Sequence, residues 1–415
     1  MSQPFDLIVI GAGAAGLFCA SVAGQRGLRV ALLDHWPRLA EKIRISGGGR
    51  CNFTNLWADR HERFTGDDPR FARAALRAFP PRHFVDLVRS HRIGFHEKHK
   101  GQLFCDDSAE RIVAMLRDEC DRGAIAWYRP CRVDAVIRRE PDAAGRPRFE
   151  VHTGAGVLAT RALAIATGGL SIPKIGATDL GYRIARQFGL RVVEPRPALV
   201  PLVFEAADQT LFAGLAGVSL PVRIRAPQSP ASPAFDEDLL FTHRGLSGPA
   251  VLQVSTFWRP GAPLAIDLVP GDDLAGALIE ARSGGRAQLS SLLAARLPRR
   301  LAQRWLQQPE WAALAARPLA EIGNRELAAL AASLRDWRIV ASGTEGFRKA
   351  EVTAGGVATE ALDPRTMQAH AVPGLYFVGE VVDVTGWLGG YNFQWAWASG
   401  FAAGQSIAAL NPGAR

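Results

Sequence analysis

The chain has 415 residues, 48% of them hydrophobic and 21% charged, an ordinary globular composition that leaves room for two or three domains at about 150 residues each. Its formal charge of +9 comes mostly from Arg scattered through amphipathic stretches. Because the clusters are as short as Arg299-Arg300 with Arg304, the excess reads as a solvated basic surface rather than a nucleic-acid footprint, with part of it free to meet anionic substrates or cofactor phosphates. Five cysteines, an odd number with no CxxC pair, argue against a dithiol redox enzyme, no Cys/His cluster has metal-ligand spacing, and the count suits a reducing, cytoplasmic setting with no metal expected.

The first segment, Phe5 to Ile10, is a short, nearly continuous apolar run, the pattern of a strand buried on both faces. Ala14 to Gln25 is helix-compatible and rich in small residues, and Leu28 to Asp34 is a second strand. Together they make a strand–helix–strand unit of about 30 residues. The apolar start mimics a signal peptide, but it lacks a basic leader and is interrupted by Gly11, Gly13, Gly16 and Gly24. No run is long and apolar enough to span a bilayer, so no membrane partner is expected.

Helical spacing then marks Phe71–Phe79, His83–His91 and Ala109–Arg122. Strand-like runs follow at Ala124–Tyr128, Arg132–Ile137, Phe149–His152 and Leu163–Thr167, and the turn Gly154-Ala155-Gly156 suggests a β-meander. From about Arg191 to Pro270 Pro and short β-type runs dominate, such as Leu199–Phe204 and Val218–Ile224. Asp272 to Trp337 is Ala/Leu/Arg-rich and helical, broken near Gly284-Gly285; after Ile339 the glycine-rich, apolar texture of the start returns.

Gly11-Ala12-Gly13-Ala14-Ala15-Gly16 is a GxGxxG placed where its mechanism requires, after a buried strand and opening a helix. Gly11 allows the tight turn, Gly13 lets backbone approach a pyrophosphate, and Gly16 lets helix and strand pack closely. The exposed amides at the helix start, Ala14 and Ala15 among them, would then hold phosphates. Asp34, closing the second strand, would accept hydrogen bonds from the ribose hydroxyls and repel a 2′-phosphate. The rival readings are a glycine-rich turn of an unrelated α/β protein and a surface Asp at a strand end. Ser46-Gly47-Gly48-Gly49-Arg50-Cys51-Asn52-Phe53-Thr54-Asn55 is a glycine run whose backbone can lie flat against a planar or phosphorylated ligand, with Arg50 facing phosphate or flavin oxygens; as pure pattern it reads equally as a mobile loop.

This segment resembles the signature loop of a bacterial family of NAD(P)/FAD-dependent oxidoreductases that includes aminoacetone oxidase and bile-acid-pathway flavin reductases. The resemblance continues through Ala166-Thr167-Gly168-Gly169 with Pro173 and Gly176, Phe241 to Pro249, Thr353-Ala354-Gly355-Gly356-Val357, Gly374 to Glu380, Asp383, Gly386, Gly389-Gly390-Tyr391-Asn392 and Gln394-Trp395-Ala396, nearly the whole chain. It implies FAD as cofactor. By resemblance, Thr167, Gly168 and Gly169 end a strand beside it, Gly379 and Glu380 lie near the ribityl-phosphate arm, and the strand around Val133 meets the adenine edge. Gly389, Gly390, Tyr391 and Asn392 open a final helix whose amides stabilise charge at the flavin N1–C2=O. Lys42 and Gly355 belong to matched segments too, although Ala40-Glu41 precedes Lys42 where the family usually has Gly and a base, Arg44 replaces an apolar residue, and Asp34 stands where Glu is commoner.

Other residues admit two readings. Cys51 is tempting as a nucleophile, yet a small buried thiol is commoner. Glu380 and Asp383 are read as ligand-binding before acid/base groups. His243 and Arg244 either face substrate or sit in a structural turn, and Trp387, Trp395 and Trp397 either line a flavin pocket or fill the core. The expected fold is α/β, a Rossmann-like FAD-binding domain of the glutathione-reductase type over 1–190 and 340–415, with an inserted β-rich domain over 191–271 and a small helical domain over 272–339. The expected function is transfer of hydride or electrons through flavin N5 to or from a small organic substrate, by amine oxidation or reduction of an activated C=C bond. No second strand–GxGxxG–helix unit is visible, so NADH or NADPH would serve as a transient reductant at the flavin face, or the reductant is something else. The alternatives are a non-catalytic flavin-binding redox sensor and a flavin-dependent RNA-modifying protein.

Overall fold

The computed structural model describes residues 3–142, 146, 148–205, 212–283 and 288–409; the break expected at Gly284-Gly285 lies outside them. The chain forms two compact units, Met1–Arg196 with Val352–Arg415, and Pro197–Glu351.

The first unit begins with β1 (Phe5–Ile10), α1 (Ala14–Gly24) and β2 (Val30–Leu33). β1 lies between β2 and a later strand, and Leu7, Ile8 and Val9, which alternate between the two faces of the sheet, have no exposed surface, so both faces are covered there. The chain continues through α2 (Glu41–Ile45), β3 (Asn52–Asn55), β4 (Phe64–Thr65), α3 (Arg73–Ala78), α4 (Pro81–Ser90), β5 (Phe95–Glu97), β6 (Gln102–Cys105) and α5 (Glu110–Arg122). Then come β7 (Ala126–Tyr128), β8 (Val133–Arg139), β9 (Arg148–Thr153), β10 (Gly156–Ile165), α6 (Leu180–Gln187) and β11 (Val192–Ala198). The meander is β8, β9 and β10, turning at Gly154-Ala155, whereas β7 joins the parallel sheet beside β2. β10 joins the meander to the parallel strands: its first half pairs antiparallel with β9, Gly156 opposite Thr153, and its second half runs parallel to β1, Ala162 opposite Leu7.

The second unit is built on one sheet of β12 (Leu202–Val203), β13 (Ser219–Arg225), β14 (Phe235–Phe241), β15 (Gly245–Ser247), β16 (Pro263–Asp267), β17 (Trp337–Val340) and β18 (Gly343–Thr344), ordered β17-β16-β13-β14-β15-β12-β18. Helices Leu274–Ser283, Leu289–Ala294, Arg299–Leu306, Pro309–Ala315 and Asn324–Arg335 leave the sheet after β16, and the chain returns to it as β17, Ile339 opposite Leu264. The segments that sequence texture separates at residue 271 thus occupy one unit. Trp337, read as the end of the helical stretch, is a strand residue: Trp337 and Ile339 are buried while Arg338 and Val340 face outward, an alternation of period two.

Back in the first unit, β19 (Val352–Val357), β20 (Leu375–Phe377) and β21 (Thr385–Gly386) precede the last helix, Tyr391–Ala409. β20 completes the parallel sheet beside β10, Leu375 opposite Leu163. The last helix lies directly on α1, where glycines permit the approach: a Cβ at Gly400 would stand 2.6 Å from the Ala15 carbonyl oxygen, and one at Gly404 2.7 Å from that of Cys19. Among the described residues no helix is long and apolar enough to cross a membrane.

Candidate functional site

The parallel strands all deliver their carboxyl ends to one edge of the sheet, where open α/β sheets bind ligands. Gly11 follows β1, Asp34 follows β2, Thr167 follows β10 by one turn of chain, and Gly379 follows β20. The three glycines of the first loop are held for different reasons. Gly11 has φ +109°, and a Cβ there would lie 2.4 Å from the Ala166 carbonyl oxygen. A Cβ at Gly16 would lie 1.8 Å from the Gly11 carbonyl oxygen. Gly13, by contrast, has an ordinary φ of −84° and a Cβ there would meet no atom within 4 Å. Gly13 is the N-cap of α1, so the amides of Ala14 and Ala15 in the first turn have no intrahelical acceptor.

Asp34 braces this loop. Its Oδ2 accepts from the Ala12 amide at 2.7 Å and its Oδ1 from the Trp36 amide at 2.7 Å. A carboxylate offers about four acceptor positions, so capacity remains for ribose hydroxyls. The Cys131 amide donates to the Asp34 carbonyl at 2.7 Å, which brings Val133, at the head of β8, into the neighbourhood of this end of the site.

The second glycine run is an ordered turn after α2. Gly47, Gly48 and Gly49 have φ of 57°, 67° and 84°, and Cys51 follows at 50°. A Cβ at Gly48 or Gly49 would meet nothing within 4 Å, while one at Gly47 would strike the Phe104 ring at 2.7 Å. Ser46 Oγ donates to the Ile43 carbonyl, Cys51 donates its amide to the Ser46 carbonyl at 3.1 Å, and Arg50 is exposed. Cys51 has no exposed surface and burial pushes its thiol well above the ordinary cysteine range, the state of a packing residue and not of a nucleophile.

Lys42 and Glu380 form an ion pair, and Lys42 Nζ also donates to Ser171 Oγ at 2.8 Å. Ser171 Oγ donates to Glu380 Oε1 at 3.1 Å, and the Thr353 amide donates to the same oxygen at 2.8 Å. Gly169 lies against this cluster, where a Cβ would stand 2.4 Å from Thr353 Oγ1; Gly168, at φ +72°, faces open space. Ser171 was not selected from sequence. Its signal was its position two residues beyond Gly169, but its partners lie far away in the chain.

Other selected residues pack into the scaffold. The Thr167 hydroxyl is buried without a hydrogen-bond partner among the described residues, and a Cβ at Gly181 of α6 would stand 2.3 Å from it. Gly355, at φ +84°, admits β11, since a Cβ would lie 2.4 Å from the Glu194 carbonyl oxygen. The Gly379 amide donates to Ser399 Oγ at 2.9 Å, and Trp395 Nε1 donates to the Gly379 carbonyl at 3.0 Å.

The start of the last helix closes on β3 and β6, just after the second glycine run. A Cβ at Gly390 would lie 2.4 Å from the Thr54 carbonyl oxygen and 2.9 Å from the Asn52 side-chain amide; one at Gly389 would strike Gln102 at 2.7 Å. Asn55 Nδ2 donates to the Gly389 carbonyl at 2.9 Å, and Thr54 Oγ1 to Gln394 Oε1 at 2.7 Å. The Asn392 side chain pairs twice with the Gly386 peptide, at 2.9 Å each way. Arg63 Nη1 donates to the Tyr391 hydroxyl at 2.8 Å, and burial, partly offset by Arg63, raises the Tyr391 phenol.

Asp383 is 3% exposed, and its Oδ2 accepts from the Asp67 amide at 2.9 Å; burial raises its carboxyl above the ordinary aspartate range. Trp395 and Trp397 are core residues, the latter donating to the Phe53 carbonyl at 2.8 Å, whereas Trp387 is partly exposed beneath the Arg63 guanidinium at 5.1 Å. In the second unit His243 and Arg244 are exposed at the tip of the β14–β15 hairpin, whose turn is closed by Thr242 and Gly245.

The site thus gathers two helix starts, a carboxylate at a strand end and a partly buried ion-pair network. Residues 5–406 match the model of the HI0933-like protein Rossmann domain. Across 98% of this chain and 99% of the relative, the chain is 47% identical to a ribosomal RNA dihydrouridine synthase of Escherichia coli. It is 28% identical to a 3-dehydro-bile acid delta(4,6)-reductase of Clostridium scindens, covering 96% and 98% of the two chains. The bile-acid branch of the expected resemblance is therefore matched, while the relative at higher identity carries a ribosomal RNA name and not that of an amine oxidase. The structure of 3-ketosteroid delta1-dehydrogenase from Sterolibacterium denitrificans aligns with 99% of this chain and 100% of its own at a TM-score of 0.50 and 12% identity, a likeness of fold. The chain belongs to the HI0933-like family, with the Rossmann-like FAD-binding fold of flavoprotein oxidoreductases.

Proposed function

We propose that the protein is an FAD-dependent enzyme that reduces the C5=C6 bond of a uridine in ribosomal RNA, and that its FAD lies along the sheet edge described above. The observation that carries this reading is the full-length likeness to the Escherichia coli ribosomal RNA dihydrouridine synthase, 47% identical over 408 residues. The chemistry suits both named relatives. A uracil C5=C6 bond is conjugated with C4=O, and a bile-acid 4,6-diene-3-one is likewise an extended enone; each accepts hydride at a carbon remote from the carbonyl and a proton beside it. This favours activated C=C reduction over amine oxidation. It also makes an RNA, not only a small molecule, the partner that part of the basic charge serves.

FAD, when bound, supplies the two-electron hydride carrier, with a reduced nicotinamide or another donor as the source of electrons. The amides at the start of α1, approached past Gly13, would hold the pyrophosphate, and Asp34 would accept from the adenosine ribose. Val133 would lie at the adenine edge. Lys42, Ser171 and Glu380 would fix the middle of the cofactor, with Gly168 and Gly169 leaving room for it. The turn Gly47–Gly49, with Arg50 and Asn52, and the amides of Gly389, Gly390 and Tyr391 would border the ring system, where a helix start stabilises negative charge. The fit rests on Gly13, Gly48, Gly49 and Gly168, four positions where a Cβ meets no protein atom within 4 Å.

The test is anaerobic. The flavin is reduced with NADH, NADPH or dithionite, then mixed with unmodified ribosomal RNA. The expected result is return of oxidised-flavin absorbance with one dihydrouridine formed per flavin reoxidised. Reoxidation by steroid-type enones but not by RNA would move the protein to small-molecule reduction, and a flavin inert to every donor and acceptor would make it a sensor.

A further inference from the structure

Beside the candidate site, the first unit contains a cleft of about 660 Å³ lined by Arg70, Arg73, Arg77, Arg191, Arg365 and His370, with Asp67, Asp68 and Glu360 as its carboxylates. Five arginines against three carboxylates leave a net positive cleft even with His370 neutral. The carboxylates are already engaged: Asp68 with Arg70, and Asp67 and Glu360 with Arg191 at 2.7 Å each. Arg73, Arg77 and Arg365 have no carboxylate partner among the described residues. Arg73 and Arg77 stand four residues apart on α3, so they share a face and repel one another, which weakens a short helix. A concave basic surface of this kind focuses potential on an anion.

The cleft is tied to the segment that leads into the last helix. The Asp67 amide donates to Asp383 Oδ2, a Cβ at Gly66 would lie 2.2 Å from the Asp383 carbonyl oxygen, and β4 pairs with β21. Phe71, another lining residue, packs edge-on against Trp395 at 6.2 Å.

We propose that this cleft is a phosphate-binding subsite for the RNA backbone, with Arg73, Arg77 and Arg365 contacting phosphodiesters of the strand that carries the target uridine. The proposal rests on the reading of the substrate as RNA. Arginine forks suit phosphate oxygens, and such contacts set register and affinity without reading sequence. The same basic chemistry would suit the phosphates of a nicotinamide nucleotide, which the experiment separates.

The test uses the flavin-loaded full chain and a fluorescein-labelled, uridine-containing single-stranded RNA, titrated at several salt concentrations. The wild type is compared with the triple variant Arg73→Gln, Arg77→Gln, Arg365→Gln, all three positions being exposed. Each phosphate contact contributes about 0.7 to the slope of log affinity against log salt for single strands, so the triple variant should lower the slope by about two and weaken low-salt binding at least tenfold. Its flavin spectrum and its reduction rate by NADH and NADPH should match the wild type. A variant that binds RNA like the wild type overturns the subsite alone. A variant with normal RNA binding and a raised NADPH KM reassigns the cleft to the nucleotide. A wild type that binds no RNA at low salt overturns both this proposal and the RNA reading.

Discussion

The two ends of the candidate cofactor site differ in how they are built. The end at β1–α1–β2 is mostly local: Gly11, Gly16 and Asp34 lie within one strand–helix–strand unit, held by the Gly16–Gly11 approach and the Asp34–Ala12 bond, with Ala166 the remote neighbour of Gly11. The end at α2, β3 and the last helix is assembled from remote pieces, with Thr54 bonded to Gln394 across 340 residues and Lys42 bonded to Ser171 across 129. A local loop is specified by where side chains cannot fit; a remote assembly is specified by which polar side chains find each other. The first should fail by steric exclusion, and the second by losing binding while the fold persists.

The sharpest way to break this contrast is inside the first glycine motif. Gly16→Ala places a Cβ 1.8 Å from the Gly11 carbonyl oxygen and should cost more than about 4 kcal/mol, seen as loss of folded protein in thermal melts. Asp34→Ala strips the Ala12 amide of its acceptor and should cost about 1–3 kcal/mol in urea unfolding, together with weaker retention of FAD. Gly13→Ala should leave stability within about 1 kcal/mol, because φ is ordinary and the space is open. It should still raise the FAD dissociation constant about tenfold, roughly 1.4 kcal/mol, in a fluorescence titration. If Gly13→Ala and Gly16→Ala behaved alike, the distinction between ligand-facing and protein-facing glycines would fail.

A smaller effect sharpens the contrast at the other end. Burial raises the Asp383 carboxyl in the folded state, so its ionised form opposes folding. The stability linked to its proton is present in acid, below the unfolded value of about 3.9, and fades as pH rises through the higher folded value. Asp383→Asn should therefore gain stability relative to the wild type as pH moves from acid to neutral, measured as the difference in thermal midpoint. A constant difference across that range would contradict the assignment.

The parallel core was legible because its signals are short-range: the unbroken apolar run of β1, the small residues of α1 and the acid after β2 all lie within one unit. Strand β17 was readable in principle from the Trp337/Ile339 alternation but was masked by the helical texture before it. The remote half was legible only through family resemblance, and even then as segments, not as contacts. Nothing local to Ser171 announces a bond to Lys42 or Glu380, and nothing in Asn392 tells that its amide closes on Gly386 and not on a ligand. The five cleft arginines looked like scattered surface charge because Arg191 and Arg365 join Arg70, Arg73 and Arg77 only after folding.

The most direct measurement is a titration of FAD into the apoprotein, followed by flavin fluorescence and read for stoichiometry in the wild type and in Gly13→Ala. Saturation at one FAD per chain, with weaker binding but unchanged melting for the variant, is the predicted result. No saturable binding by a folded wild type would contradict the claim that these remote glycine-rich segments enclose a single dinucleotide.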